Sequence, residues 1–477
     1  MRLIPHGAAR EVTGTCHELQ VGNTRILLDC GLFQGRRAEA AVKNSTFPFK
    51  PTDIDAVVLS HAHMDHAGRI PLLWKKGYRG PVFCTYATKD LAAVMLEDGG
   101  YVQEKDEEYF CKHLKKSMVA CDGPLYTQED AKQCQPLFKP KNYNEWFEVV
   151  PGIRVKFLDA GHILGAAMLV IEAEERGLRR YIGFSADLGR AHLPIIHDPE
   201  AMDAVEILIC ESTYGNRRHE SILTARGKLK ETLLDTAKRG GKVIIPAFSL
   251  ERTQEIVYDL HLLWDNKEIP AMPIIIDSPL ATKVTDVFMR HPECYDKEMY
   301  EEFLQRQHNP FQFSLVKYTE SVEDSKALNG ARGPMVIMAG SGMCEAGRIR
   351  HHLRNELEDP RNTVLAVGYM AKDTLGSKIF DPSITHVKIF DEMVAKKAQC
   401  TYIDAYSGHA DMNDLDGFVA DIGGMTYDKD TDKANPVLEK VILVHGESEG
   451  MEAFAKRIRD ARGIQVLMPE REEVIEL

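Results

Sequence analysis

The sequence lacks a cysteine pair at C-x-x-C spacing, a long apolar run and an excess of basic residues. Its ten cysteines are scattered singly along 477 residues, which argues against a zinc ribbon or a dithiol redox motif. No stretch approaches the length that spans a bilayer, and the N-terminus has no apolar signal-peptide core. We therefore expect a cytoplasmic protein with no membrane partner.

The charge balance bears on binding of nucleic acid. A formal net charge of −13 argues against binding nucleic acid through a large basic surface, although it leaves room for a local cationic groove. The length favours two or three domains. Hydrophobic and charged residues make up 44% and 27% of the chain, which is ordinary for a globular protein.

The most informative segment is the run His61-Ala62-His63-Met64-Asp65-His66. It follows Asp55 to Leu59, whose apolar and β-branched residues predict a buried strand, and it precedes a helix predicted from about Gly68 to Lys76. The run should therefore lie on the loop at the carboxyl end of that strand, where sites form in α/β proteins.

Three imidazoles and a carboxylate suit zinc or a similar first-row ion. An extended backbone directs His61 and His63 to the same side, and so short a loop can hardly close all four donors around one tetrahedral ion. Two ions a few Å apart would use the donors as two pairs, so we predict a dinuclear centre. The alternative is a surface histidine-rich loop that takes up metal without function.

These residues resemble the metallo-β-lactamase superfamily, whose HxHxDH motif matches residues 61–66 in full. Further positions match in the expected order: Asp29 at the end of an early strand, His162, and Asp187, which corresponds to the aspartate that bridges two metals. Each alone is weak, because an isolated Asp or His at a strand end is commonly a turn or capping residue.

The chain beyond Glu211 changes to repeated strand, short loop and helix. Strands are predicted at 242–246, 273–277, 335–339 and 363–368, and this alternation predicts an open parallel sheet with helices on both faces. Ligand-like residues return past about residue 390. We therefore expect a first domain built from 1–211 and 391–477 that is interrupted by an inserted α/β domain, 212–390.

This arrangement resembles the β-CASP branch of the superfamily, which consists of nucleases. The resemblance implies an αββα sandwich with an inserted β-CASP domain, in which motifs A, B and C correspond to Glu211, His409 and His445. Because RNA-processing members carry histidine at motif C and DNA-processing members generally carry valine, His445 favours RNA. The implied protein is a zinc-dependent ribonuclease acting on single-stranded RNA, and a homodimer.

The resemblance, together with the number of donors, also implies a ligand set for two zinc ions and a bridging hydroxide that attacks the phosphodiester. One ion would take His61, His63 and His162, the other Asp65, His66 and His445, with Asp187 between them. Asp65 would also orient the hydroxide, and Asp29 would order the ligand loop. His409 would be the general acid, held by Glu211; as alternatives, His409 could cap the following helix and Glu211 could be an ordinary strand-end carboxylate.

A glycine-rich turn, Gly340-Ser341-Gly342, lies between a predicted strand and helix, where free backbone N–H groups can bind an anion. Such turns usually serve chain reversal alone, but within this resemblance we expect a substrate phosphate there. Residues near similar strand–helix loops are predicted to assist: Ser249, Arg252, Ser278 and Arg348. His351 and His352 are expected on the helix surface and not as ligands.

Other functions remain open at this point. A thioester or lactam hydrolase could use the same centre, and a DNA-processing β-CASP nuclease differs only in substrate. A non-catalytic scaffold is disfavoured because such nuclease partners lose metal ligands. The sequence does not distinguish an endonuclease from a 5′-exonuclease.

Overall fold

The computed structural model describes residues 1–113, 123–368, 370, 373–422, 427–428, 433–434 and 437–477. The chain forms two compact units. Unit 1 comprises Met1–Ala191, Asp198–Arg218 and Gly408–Leu477, and unit 2 comprises His192–His197 and His219–Ser407.

Unit 1 contains two seven-stranded sheets. In spatial order, the first consists of Ile475–Glu476, Arg2–Pro5, His17–Val21, Thr24–Leu28, Ala56–Val58, Val82–Cys84 and Phe138–Pro140. The second consists of Gln465–Leu467, Lys440–Val444, Ile207–Glu211, Leu178–Phe184, Ala167–Glu175, Ile153–Asp159 and Trp146–Val150. The C-terminal segment thus supplies strands to both sheets, as the interrupted first domain requires.

The two sheets of unit 1 share one apolar core. Ile207 and Ile209 face this core because alternate residues of a strand point to the same side. They join Ile26 and Leu28 of the first sheet and Phe184 of the second in a single buried cluster. This packing of sheet on sheet confirms the predicted sandwich.

The helices of unit 1 include one that begins inside the histidine run and one that follows it. The predicted helix 68–76 is observed as Ile70–Lys75. The end of the histidine run, which was predicted as loop, is helical at Met64–Ala67, and Arg69 separates the two helices because it leaves the helical conformation. The remaining α-helices are Arg37–Ser45, Tyr86–His113, Gln128–Cys134, Met412–Asp421 and Ser448–Arg462. Short 3₁₀ turns occur at Pro51–Asp53 and Gln135–Leu137.

Unit 2 is built on a parallel six-stranded sheet, which confirms the predicted sheet type. Its spatial order is Val316–Tyr318, Ile274–Ile276, Met335–Ala339, Lys242–Pro246, Thr363–Ala366 and Gln399–Tyr402. The sequence predicted the middle four strands and missed both edges. Unit 1 resumes at Gly408 and not at the predicted residue 391, because Gln399–Tyr402 pairs with Thr363–Ala366 of unit 2.

The helices of unit 2 connect these strands. They are Ile222–Lys238, Arg252–Asp265, Pro279–Arg290, Lys297–Tyr300, Val322–Ala327, Ile349–Glu356 and Leu375–Phe380, with 3₁₀ turns at Pro292–Cys294 and Leu328–Gly330 and a π-helical turn at Glu301–Gln305. A hairpin, His386–Ile389 with Glu392–Ala395, stands apart from the sheet, and Tyr427–Asp428 pairs with Lys433–Ala434 in unit 1. Within the described parts of the chain, no helix has both the length and the apolar character needed to cross a membrane.

Candidate metal centre

The parallel strands of the first sheet bring two predicted site segments together. Thr24–Leu28 and Ala56–Val58 are parallel neighbours, so both end at the same edge of the sheet. Asp29 follows the first strand and the run 61–66 follows the second. The Asp29 carboxylate accepts hydrogen bonds from the N–H and the hydroxyl of Ser60, at 2.7 and 2.8 Å, and so joins the two loops.

The second sheet supplies the other site residues in the same way. Ile207–Glu211 is parallel to both Leu178–Phe184 and Lys440–Val444, and Glu211 pairs directly with Val444. Glu211 and His445 therefore come to one edge of the sheet. Asp187 lies at the same edge, just beyond the end of Leu178–Phe184.

One group of donors surrounds His63. Its Nδ1 lies 3.1 Å from His61 Nε2 and 3.3 Å from His162 Nε2. Asp187 Oδ2 is 3.6 Å from His61 Nε2 and 3.5 Å from His162 Nε2. One ligand atom from each of these four residues lies within 4.8 Å of the others, which is compact enough to surround a single ion.

Asp65, His66 and His445 form a second group at the same spacing. His445 Nε2 lies 3.6 Å from Asp65 Oδ2, and His66 Nε2 lies 3.1 Å from Asp187 Oδ1. Since the other oxygen of Asp187 faces the first group, this carboxylate lies between the two groups. The structure therefore brings together all seven residues that the sequence assigned as ligands.

The protonation states of the first donor group suit a cation. Burial, together with the charges of neighbouring histidines, lowers the pKa of His61 and His162, and burial lowers the pKa of His63 to about 4. Burial alone would raise the pKa of Asp187, but nearby histidines, foremost His445, hold it well below its usual range. Neutral imidazoles and an ionised carboxylate are the forms that bind metal. In the second group, burial alone would lower the pKa of His66, but the carboxylates of Asp187 and Asp29 raise it well above its usual range, so a metal would displace a proton from this ring.

The histidines are also oriented as metal ligands are. His61 Nδ1 contacts the Ser60 hydroxyl at 3.0 Å, His66 Nδ1 contacts Asp29 Oδ2 at 2.8 Å, and His162 Nδ1 lies 2.9 Å from the carbonyl oxygen of Gly408. An oxygen partner on the outer nitrogen fixes the tautomer and leaves the inner lone pair for the metal. Ser60 and the Gly408 carbonyl were not predicted. The donor set and its surroundings fit divalent metal.

The remaining predicted pair adjoins this cluster. His409 Nδ1 lies 3.3 Å from Glu211 Oε1 and 4.0 Å from Asp187 Oδ2. Burial alone would lower the pKa of His409, but the carboxylates of Glu211 and Asp187 raise it to about 9. Asp411, and not His409, caps the helix Met412–Asp421. His409 is therefore a cationic side chain beside the donor cluster, 22% exposed.

In unit 2, three of the residues predicted to bind phosphate lie together. The hydroxyls of Ser249 and Ser278 are 3.1 Å apart, and a Cβ built on Gly340 would lie 3.4 Å from Ser249 Oγ. The three preceding strands are parallel and end at the same edge. Ser278 also accepts the N–H of Ala281 and so caps the following helix.

The other predicted phosphate ligands make contacts inside unit 2. Arg252 binds Glu255, and Arg348 donates to Asp277 Oδ1 at 2.6 Å. Ser341 Oγ accepts the Ala346 N–H at 3.1 Å. Gly342 packs against the ring of Phe248, so closely that a Cβ at this position would lie 2.7 Å from the ring.

The expectation that His352 lies on the helix surface is wrong. Its side chain is 2% exposed, and its Nε2 lies 2.6 Å from Asp277 Oδ2. The buried Asp277 carboxylate needs hydrogen-bonding partners, and His352 supplies one of them. His351 is exposed, as expected, and lies against the ring of Phe390, with ring centroids 4.7 Å apart.

Three segments of the chain match known protein families. Residues 9–78 match the metallo-beta-lactamase superfamily, residues 253–379 match the Beta-Casp domain, and residues 432–469 match the Zn-dependent metallo-hydrolase RNA specificity domain. The first match contains the histidine run, the second contains the glycine-rich turn, and the third contains His445.

Similar proteins extend over nearly the whole chain. Ribonuclease TTHA0252 of Thermus thermophilus is 38% identical over 96% of this chain and 95% of its own length. Transcription termination factor FttA of Methanocaldococcus jannaschii is 30% identical over 97% of this chain and 69% of its own. Endoribonuclease ysh1 of Schizosaccharomyces pombe is 28% identical over 94% of this chain and 55% of its own. A crystal structure of an Enterococcus faecalis protein of unknown function, with 14% identity and a TM-score of 0.54, covers the full chain and 99% of its own and shows likeness of fold.

Proposed function

Because the chain belongs to the β-CASP family of the metallo-β-lactamase superfamily, we propose that it is a metal-dependent ribonuclease whose reaction takes place at the donor cluster of unit 1. The observation that carries this proposal is the position of the His409–Glu211 pair beside two groups of metal donors that share Asp187. The similarity to ribonucleases and the match to an RNA specificity domain support RNA as substrate.

We propose two zinc ions, one for each group of donors. His61, His63 and His162 would hold the first, Asp65, His66 and His445 the second, and Asp187 both. Two divalent ions would supply Lewis-acid chemistry, which neutralises charge on a phosphodiester and lowers the pKa of water from about 15.7 toward 7. Asp65, which is both a ligand and partly exposed, is suited to accept a hydrogen bond from the attacking water.

His409 supplies the proton that hydrolysis requires. Cleavage of a phosphodiester leaves an alkoxide, which a nearby acid must protonate as the bond to phosphorus breaks. Glu211 engages the Nδ1 side of the imidazole and keeps the ring cationic, so the Nε2 proton is available to the leaving oxygen. Glu211 is itself fixed, since its Oε1 accepts the Leu188 N–H at 2.6 Å.

The rest of the proposal concerns substrate and assembly. Single-stranded RNA suits a centre that must reach one phosphodiester. In unit 2, a second phosphate could be held by Ser249, Ser278 and the N–H groups near Gly340. Arg252 and Arg348 would contribute positive charge there while remaining bound to their carboxylates. Cytoplasmic location and a homodimer stay predictions; light scattering on the purified protein measures the latter.

The test is cleavage of a 5′-labelled single-stranded RNA and of the DNA of the same sequence. Zinc-loaded protein should cleave RNA alone, while chelated protein and Asp65→Ala should lose this activity. Asp460→Ala is the matched control, because it removes an exposed carboxylate of unit 1 that pairs with Lys456 on the same helix. Equal cleavage of DNA would refute the RNA preference, and inactivity of the fully metallated protein would refute the nuclease.

A further inference from the structure

The Thr213 hydroxyl lies beside His445 in the way that other oxygens lie beside three of the ligand histidines, His61, His66 and His162. Ser60, Asp29 and the Gly408 carbonyl each face the outer nitrogen of one imidazole. We propose that Thr213 is a positioning residue that selects the metal-binding tautomer of His445 and thereby controls occupancy of the second metal position. This inference rests on the proposed two-ion centre.

The hydrogen-bond pattern fixes the direction of each proton. Thr213 Oγ1 lies 3.1 Å from the carbonyl oxygen of His445 and 3.1 Å from its Nδ1. A carbonyl oxygen can only accept, so the single hydroxyl proton is donated to it. The hydroxyl oxygen must then accept from Nδ1–H. Nδ1 consequently carries the proton and Nε2 carries the lone pair.

The lone pair on Nε2 has no competing partner. Nε2 is buried and forms no hydrogen bond to any residue that the structure describes. Its nearest carboxylate oxygen, Asp65 Oδ2, is 3.6 Å away, and this oxygen belongs to the same group of donors. A buried nitrogen without a partner is costly, and a cation placed between His445 and Asp65 would satisfy both.

The backbone of His445 is held without the Thr213 side chain. Its N–H donates to the Ala8 carbonyl at 2.7 Å, and its carbonyl also accepts the Ser212 N–H at 3.2 Å. Ser212 Oγ donates to the Val444 carbonyl at 2.7 Å. These contacts hold a left-handed conformation, φ 46°, which is uncommon for a residue other than glycine. The distinct role of the Thr213 hydroxyl is therefore exerted on the imidazole.

Loss of the hydroxyl should favour the wrong tautomer. Without the hydroxyl, the carboxylate oxygen beside Nδ1 is Asp187 Oδ1, at 3.4 Å, which the proposed second metal position also requires. The proton can then move to Nε2, which can donate to Asp65. That hydrogen bond would occupy two of the three donors in the second group at once. The first group does not depend on Thr213, so its affinity for metal should be unchanged.

The experiment compares wild type, Thr213→Val and Thr213→Ser. Valine keeps the shape without the hydroxyl, and serine keeps the hydroxyl without the methyl. Metal-free proteins are titrated with zinc against a chromophoric chelator, and bound zinc is counted by mass spectrometry. We expect two equivalents in the wild type. One of them should bind about 10- to 100-fold more weakly in Thr213→Val and close to normally in Thr213→Ser.

Two results would overturn the proposal. One is a Thr213→Val protein that binds both zinc equivalents with normal affinity. The other is a Thr213→Ser protein that loses as much zinc affinity as Thr213→Val, since packing would then be the cause. Circular dichroism checks folding, and Thr213→Ala replaces valine if that variant is unfolded. A wild type that binds a single equivalent would refute the two-ion centre and this inference with it. Two bound equivalents without RNA cleavage would refute the nuclease alone.

Discussion

Replacing Glu211 by glutamine should lower the kcat for RNA cleavage, relative to wild type, by a factor that grows as pH rises. The side chain is fully buried, and its Oε1 lies 3.3 Å from His409 Nδ1 while accepting the Leu188 N–H. Glutamine keeps an acceptor at this position. Its amide nitrogen would take the Oε2 position, which the Thr213 N–H approaches at 3.3 Å. Two donors would then face each other, so the substitution removes a charge and one weak backbone hydrogen bond, at modest steric cost.

The magnitude follows from the pKa of His409. Burial lowers this pKa, but Glu211 and then Asp187 raise it from 6.5 to about 9, which corresponds to about 3 kcal/mol in favour of the imidazolium. Asp187 remains in the variant, 4.0 Å away, so we expect the pKa to fall by about one to two units. Bound cations lower the pKa in both proteins, and the ratio of their rates is therefore the quantity to compare.

The sign determines the shape of the result. Glu211 stabilises the protonated ring, so below both pKa values the acid is present with or without it and the two rates should be similar. Between the two values the variant loses its acid first, and the ratio of wild-type to variant kcat should grow about tenfold per pH unit. At higher pH the ratio should become constant.

The assay is kcat for RNA cleavage from about pH 5.5 to about pH 9.5 at buffered free zinc, with bound zinc measured at each pH. His409→Ala should be about 10²- to 10⁴-fold slower at low pH, where the acid works best. Glu449→Gln, at an exposed position of unit 1, is the matched control. A Glu211→Gln defect of equal size at every pH would refute the argument that Glu211 keeps His409 protonated.

Three further substitutions test the surroundings. Asp29→Asn removes the carboxylate that accepts from His66 Nδ1 and should weaken zinc binding by about 10- to 100-fold in a chelator competition. Asp277→Asn should lower the free energy of unfolding by about 3 kcal/mol near neutral pH. The hydrogen bonds that Asp277 accepts outweigh burial and lower its pKa. The difference between wild type and variant, measured by urea titration, should therefore shrink as pH falls below about 4. Gly31→Ala would place a Cβ 1.6 Å from the Asp65 carbonyl oxygen, so thermal unfolding should occur at lower temperature and bound zinc should fall.

The sequence alone reveals only the part of the metal centre whose donors are contiguous. Residues 61–66 carry four donors after one strand, and this density predicts metal without any relative. Asp187, His445 and His409 have no comparable local mark, since each is one polar residue after one strand. They were predicted through the family resemblance, and the structure explains Asp187 and His445 by the parallel pairing that brings their strand ends together.

The partners of the ligands were harder to predict for two physical reasons. The Gly408 carbonyl belongs to the backbone and has no signature in the sequence, and Ser60 and Thr213 are short hydroxyl residues of a kind found in any loop. His352 was misplaced because its buried partner, Asp277, lies 75 positions away. The edge strand Gln399–Tyr402 was missed since polar residues and partial exposure weaken its periodicity.

The arrangement of the ligand loops indicates that the donors are held in place by the protein and not gathered by the metal. Gly189 lies so close to the Gly161 carbonyl that a Cβ would approach it to 1.7 Å, and its N–H donates to the Ala160 carbonyl. This contact joins the loop that carries His162 to the loop that carries Asp187. Buried carboxylates and imidazoles so fixed cannot move apart to relieve their desolvation. A cation relieves it without reorganisation, so the same contacts that make the metal-free cluster costly favour tight metal binding.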